Sequence, residues 1–169
     1  MCYTKIRTTF NKGEDTMNQE QTKAVLNQLV ADLVQFSTVI HQTHWYMRGP
    51  GFLTLHPRMD EYMEEIDGQL DEVAERLITI GGAPFSTLKE FSENTKIPDT
   101  TGTFDTTMAE HLENLVTGFR YLRDLYSTGI KTASSEDDQV TEDMLIEFKG
   151  AVEKNIWMLQ AELNKAPNL

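Results

Sequence analysis

The spacing of apolar residues constrains this chain more than any other feature. Leu26, Leu29, Leu33, Phe36 and Ile40 recur at steps of three and four, as do Met59, Met63, Ile66, Leu70, Val73, Leu77 and Ile80. Met108, Leu112, Leu115, Phe119, Leu122 and Tyr126 make a third stripe, and Leu145, Phe148, Val152, Leu159 and Leu163 a fourth. Such steps gather side chains on one face of an α-helix rather than on alternate faces of a strand. Helices are therefore predicted over about residues 19–47, 54–80, 105–131 and 135–163. Gly49-Pro50-Gly51 stops the first, and Gly81-Gly82 with Pro84 stops the second. Ala133-Ser134-Ser135 reads as a polar break, with Ser135 and the acids after it starting the last helix.

Short, long and short links between four helices describe an all-α four-helix bundle. The long link, residues 83–103, crosses over between helices two and three, as in ferritin-like folds. A link of that length usually carries an element of its own, and residues 86–91 (STLKEF) are predicted as a short helix. Residues 1–16 lack periodicity and read as a flexible tail. The bundle is expected over residues 17–164, with a short tail over 165–169. No apolar run is long enough to span a membrane, and no signal-peptide pattern opens the chain, so a cytoplasmic protein is expected.

Composition narrows the chemistry. Cys2 is the only cysteine, so a metal must be held by imidazoles and carboxylates rather than by thiolates. Open sites of that donor type suit ferrous iron, with zinc or manganese as possible substitutes. The formal net charge is −12, which attracts cations and repels free nucleic acid.

Four histidines are present. His44 continues the apolar stripe of the first helix, where a lone histidine is more often a satisfied, partly buried side chain than a ligand. The second helix carries His56, Asp60, Glu64, Asp67, Asp71 and Glu75 on one stripe beside its apolar seam. Taken alone, that stripe is as readily a solvated acidic face. Asp60 and Asp71 stand about 16 Å apart along a helix axis, so one copy cannot close both ends of the stripe on one ion. Two copies packed antiparallel about a two-fold near Glu65 and Ile66 would place His56 and Asp60 of one against Asp71 and Glu75 of the other. No Glu-x-x-His motif occurs, which argues against a di-iron centre inside the bundle.

The segment from His41-Gln-Thr-His44-Trp45 through His56, Met59-Asp60-Glu61 and Asp71-Glu-Val-Ala-Glu75-Arg76 resembles the Dps miniferritins of the ferritin-like superfamily. That family's ferroxidase motif is a histidine, a second histidine twelve later, an aspartate four after that, and an aspartate and a glutamate fifteen and nineteen after the second histidine. His44, His56, Asp60, Asp71 and Glu75 match all five positions. The resemblance covers about residues 17–163.

The resemblance implies a dodecameric shell with di-iron or mono-iron ferroxidase sites at its two-fold interfaces. His44, His56 and Asp60 would come from one subunit, and Asp71 and Glu75 from its neighbour. It further implies Fe(II) as substrate, hydrogen peroxide as preferred oxidant and storage of ferric mineral inside the shell. Trp45 matches the family's tryptophan beside the site, where it would take up an oxidising equivalent or simply pack the interface. Asp138 and Asp143, with Glu147 a weaker candidate, resemble acidic residues of the three-fold pores. The competing reading of these acids is compensation of a helix dipole. Glu61, Glu64 and Glu65 are candidates to face the cavity and nucleate mineral. A DNA-condensing role is the alternative function. Lys5, Arg7 and Lys12 against Glu14 and Asp15 give the first sixteen residues too little positive charge for strong binding. A purely structural bundle with a solvated acidic stripe is the remaining alternative.

Overall fold

The computed structural model describes residues 19–169. The tail expected over residues 1–16 lies outside them, as do Met17 and Asn18. Five helices and no strand occur among the described residues: α1 (Glu20–Tyr46), α2 (Phe52–Thr79), α3 (Leu88–Asn94), α4 (Met108–Ser135) and α5 (Gln139–Glu162). α1 packs along α2 and α4, α4 packs along α5, and α3 lies against α1. This is an all-α four-helix bundle with a short fifth helix in the crossover. No described helix is long and apolar enough to cross a membrane.

The stripes read from the sequence are the core. Leu26, Leu29, Leu33, Phe36 and Ile40 are fully buried, as are Met59, Ile66, Val73, Leu115, Phe119, Leu122 and Tyr126. Each large apolar side chain removed from water contributes roughly 1.5–3 kcal/mol. On α2 the seam differs in part from the expected one. Met63, Leu70 and Ile80 lie at its edge, while Tyr62 and Gln69 sit inside. Gln69 is accepted there because its Oε1 takes a hydrogen bond from Tyr126 Oη at 2.5 Å, which offsets the cost of burying an amide.

The predicted break at Ala133-Ser134-Ser135 is corrected: α4 runs through it. Ala133 is fully buried. The Thr132 and Ser135 hydroxyls donate back to Thr128 O and Thr132 O, so these polar side chains are satisfied within the helix. The turn comes at Asp137, which adopts a left-handed φ of 56°. Asp138, not Ser135, caps α5, accepting from Thr141 N at 3.0 Å. The same turn serves α1, because the Glu136 carboxylate accepts from Gln21 N and Thr22 N and so pairs two amides that a helix N-terminus leaves free.

Seven-residue spacing on α1 ties down the crossover. Gln28, Gln35 and Gln42 share one face and donate from Nε2 to Asn94 O, Pro98 O and Thr100 O respectively. Asn27 adds a reciprocal pair, donating to Ala83 O and accepting from Phe85 N. The crossover's own helix begins two residues later than predicted, with a capping box between Thr87 and Glu90.

Candidate metal centre

The turn between α1 and α2 brings two histidines together. Gly49 and Gly51 both take positive φ, 102° and 86°, a region that residues with a Cβ rarely enter. The chain therefore reverses within a few residues, and the last turn of α1 lies beside the first turns of α2. His44 and His56 stack across this junction with ring centroids 3.7 Å apart and planes 24° from parallel. Phe52 stacks on the other face of His56 at 4.8 Å.

Each histidine holds the other by the backbone. His44 Nδ1 donates to His56 O at 3.1 Å, and His56 Nδ1 donates to His44 O at the same distance. A carbonyl only accepts, so both Nδ1 atoms carry the hydrogen in the neutral rings. Both Nε2 atoms are left with lone pairs free to bind a metal. This is the arrangement by which proteins orient metal-binding imidazoles. Asp60, one turn beyond His56, brings its Oδ1 to 3.5 Å from His44 Nδ1 and keeps its side chain 63% exposed. One end of α2 thus offers two oriented imidazoles beside an open carboxylate.

Asp71 and Glu75 are exposed on α2 about three turns further along, and they do not reach the histidine pair of their own chain. Among the described residues, no three His, Cys, Asp or Glu side chains of one chain gather closely enough to hold an ion. Apolar side chains stand exposed near both ends of the stripe. Trp45 is 65% exposed, with its ring 5.4 Å from that of His41, and Leu53 and Ile78 are also exposed.

The two pore candidates have different surroundings. Asp138 is 2% exposed at the side chain and lies 2.6 Å from Arg76 Nη2. Burial opposes its ionisation. The hydrogen bonds from Thr141 and the charge of Arg76 outweigh burial and hold the carboxyl below its usual range. The Asp138 carboxylate is thus committed to capping and pairing rather than to an open path for ions. Asp143 is exposed one turn into α5 and lines an open surface depression with Glu142 and Ile146. Glu65 also differs from a free cavity-facing acid, because Asn155 Nδ2 donates to both of its oxygens at 3.0 Å. The sequence pattern flagged neither Arg76 nor Asn155. A plain basic or amide residue carries no spacing signal until its partner on another helix is known.

Known proteins match this architecture along nearly the whole chain. Residues 23–169 match the model of the ferritin-like domain. The DNA protection during starvation protein of Streptococcus suis is 57% identical over 148 residues, covering 88% of this chain and 86% of the relative. Its counterpart in Listeria innocua is 51% identical over 152 residues, 90% of this chain and 97% of the relative. The X-ray structure of Dps from Listeria monocytogenes superposes with a TM-score of 0.85 at 52% identity, covering 86% of this chain and 95% of that one. Dps from Listeria innocua soaked with zinc superposes with a TM-score of 0.84. With its bundle, its crossover helix and relatives of such identity, the chain belongs to the Dps family of ferritin-like proteins.

Proposed function

We propose that this protein is a ferroxidase and iron store. Subunits assemble into a hollow dodecamer that oxidises Fe(II) at sites shared across two-fold interfaces and keeps the ferric product inside. The observation that carries this reading is the reciprocal His44–His56 pair, whose Nδ1 bonds to the backbone leave the Nε2 lone pairs of the neutral rings available, with Asp60 close to His44. The set is incomplete within one chain, and the acids that would complete it, Asp71 and Glu75, lie on the same helix beyond reach. An antiparallel α2–α2 contact would bring them to the histidines of a neighbour and make two equivalent sites at once. The exposed Trp45, Leu53 and Ile78 support such a contact, since apolar surface near the motif needs a cover. Trp45 would pack there and stand ready to take up an oxidising equivalent.

In this reading iron is the substrate. Two ferrous ions each give one electron to hydrogen peroxide, which takes up two protons and leaves as two waters. Oxidising iron in pairs avoids the one-electron cleavage that releases hydroxyl radical. The carboxylates favour the ferric product, a harder and more highly charged ion, while the neutral imidazoles keep the site able to accept Fe(II). Zinc and manganese would compete for the same donors, and the zinc- and cobalt-soaked Listeria innocua structures fit a site tolerant of divalent metals. Asp143 is the better placed pore carboxylate. The name shared by the relatives speaks of protecting DNA. Removal of iron and peroxide in the cytoplasm achieves this without contact, in keeping with the net charge of −12.

Anaerobic titration with Fe(II), followed by peroxide, tests the reading. The expected result is tight uptake at each two-fold-related site and a fast rise in ferric absorbance. The Asp71→Ala, Glu75→Ala double variant should lose the fast rise while still assembling. An undiminished rise in that variant would remove the proposed site.

A further inference from the structure

Three contacts hold the His56 ring. Its Nδ1 donates to His44 O at 3.1 Å, the His44 ring covers one face at 3.7 Å, and the Phe52 ring lies against the other face at 4.8 Å. Neither neighbouring ring is tilted more than 27° from the imidazole. The hydrogen bond restrains one atom of the ring. It does not set the tilt, because the torsion that turns an imidazole about its Cβ–Cγ bond has a broad minimum. Stacking on both faces removes that freedom.

Phe52 is placed to brace rather than to bind. It is the first residue of α2 and stands four residues before His56, so the two side chains share a helix face. Gly51, at a positive φ of 86°, turns the chain into the helix. Phe52 N donates to Gly49 O at 3.2 Å and Leu55 N to Gly51 O at 2.9 Å, which fixes the first turn. The Phe52 ring is partly buried against the bundle core. A phenyl group has no lone pair to give a metal and no proton to exchange. Its contribution is a wall, anchored on the core, against which the His56 ring rests.

That wall bears on the chemistry through the tautomer. A neutral imidazole offers Nε2 to a metal only while its hydrogen sits on Nδ1. The bond to His44 O selects that form, and a ring free to turn away from the carbonyl loses the selection. The affinity for a metal then falls with the fraction of rings still correctly aimed. We propose that Phe52 is a positioning residue for metal uptake: it clamps the His56 imidazole against His44, so that the bond to His44 O and the free Nε2 persist before any ion arrives. This rests on the reading of the two histidines as metal ligands, and it adds a residue that the five-position motif omits.

The test is calorimetric titration of Zn(II) into the iron-free assembled protein, with the sites lost in a His44→Ala, His56→Ala variant counted as those of the pair. Phe52→Leu and Phe52→Met keep apolar volume on the core and remove the ring. Each should weaken zinc binding at the pair about tenfold, the lower end of what losing a ligand's supporting partner costs. Phe52→Tyr keeps the ring and should bind zinc as the wild type does. Crystals of iron-free Phe52→Leu should show His56 turned away from the His44 carbonyl. A ring that served packing alone would lower the thermal midpoint of the Leu and Met variants and leave their zinc affinity and the His56 rotamer unchanged, and that result would overturn the proposal. So would a Tyr variant that binds as weakly as the Leu variant. Zinc taken up equally well without the two histidines would instead remove the metal-site reading, and this inference with it, so the two failures are told apart.

Discussion

Arg76 near the end of α2 and Asp138 at the start of α5 form an ion pair of 2.6 Å whose carboxylate is 2% exposed. Thr141 completes a ring of contacts. Its amide and hydroxyl donate to Asp138 at 3.0 and 2.5 Å, and its Oγ1 accepts from Arg76 Nε at 2.8 Å. One carboxylate therefore caps α5 and joins it to α2. Asp138→Ala strands a half-buried guanidinium and uncaps the helix, and it should cost about 3 kcal/mol at neutral pH. Asp138→Asn keeps a good cap and should cost less. Urea unfolding of the two variants, followed by circular dichroism, measures the difference.

The same group sets an acid limit. Its pKa is depressed in the folded protein, so its contribution to stability is complete above the ordinary aspartate value of about 4. The contribution falls away as pH drops through the lower, folded value, because protonation then favours the unfolded chain. The thermal midpoint of the wild type should decline below about pH 4, and the Asp138→Asn variant should show a shallower decline there. An identical acid limb in both proteins would assign the effect to other carboxylates.

Asp32 makes a comparable prediction for the crossover. It is fully buried in α1 and accepts from Tyr121 Oη at 2.7 Å, Thr95 Oγ1 at 2.9 Å, Lys96 N at 2.6 Å and Gln28 Nε2 at 2.9 Å. Burial and the neighbouring carboxylate push the Tyr121 hydroxyl well above the ordinary tyrosine range, so it stays a donor at all working pH. Tyr121→Phe should cost about 2 kcal/mol, the scale of a hydrogen bond to a charged group. Asp32→Asn should cost more, since its amide turns two donor hydrogens toward other donors. Hydrogen exchange at residues 95–97 should quicken in both variants, and protection unchanged from the wild type would separate Asp32 from the anchoring of this loop.

How far the sequence could be read follows from what each signal depends on. Burial with a period near 3.6 is a local property, so Leu26 to Ile40 and Met59 to Leu77 marked two helices and their inner faces. The end of α4 was misplaced because Ser134 and Ser135, both exposed, look like a break in the sequence although the helix runs through them. The Ser135 hydroxyl bonds back to Thr132 O and so does not compete with the helix. The five candidates His44, His56, Asp60, Asp71 and Glu75 could be proposed from the sequence because the resemblance rests on fixed intervals along the chain, and of these the fold brings His44, His56 and Asp60 near one another. What spacing does not contain is the exchange of ring N–H and carbonyl between His44 and His56, which depends on how two helix ends meet. The burial of His111, with its Nε2 unpaired among the described residues, was invisible for the same reason, since it exists only in the folded chain.

The division of the proposed iron site between two chains can be tested without a structure of the assembly. One variant carries His44→Ala and His56→Ala, and the other carries Asp71→Ala and Glu75→Ala. Each alone should form shells with no fast iron oxidation. If a site takes its imidazoles from one copy and its acids from another, a mixed pair of subunits has one intact site and one lacking both halves, because a two-fold contact repeats every pairing. Refolding the variants together in equal amounts makes about half of the pairs mixed, so about a quarter of the wild-type sites should return. If all five residues served within one chain, every subunit in the mixture would remain defective and no activity would reappear. The initial rate of ferric absorbance after peroxide, normalised to shell concentration, distinguishes a quarter from zero.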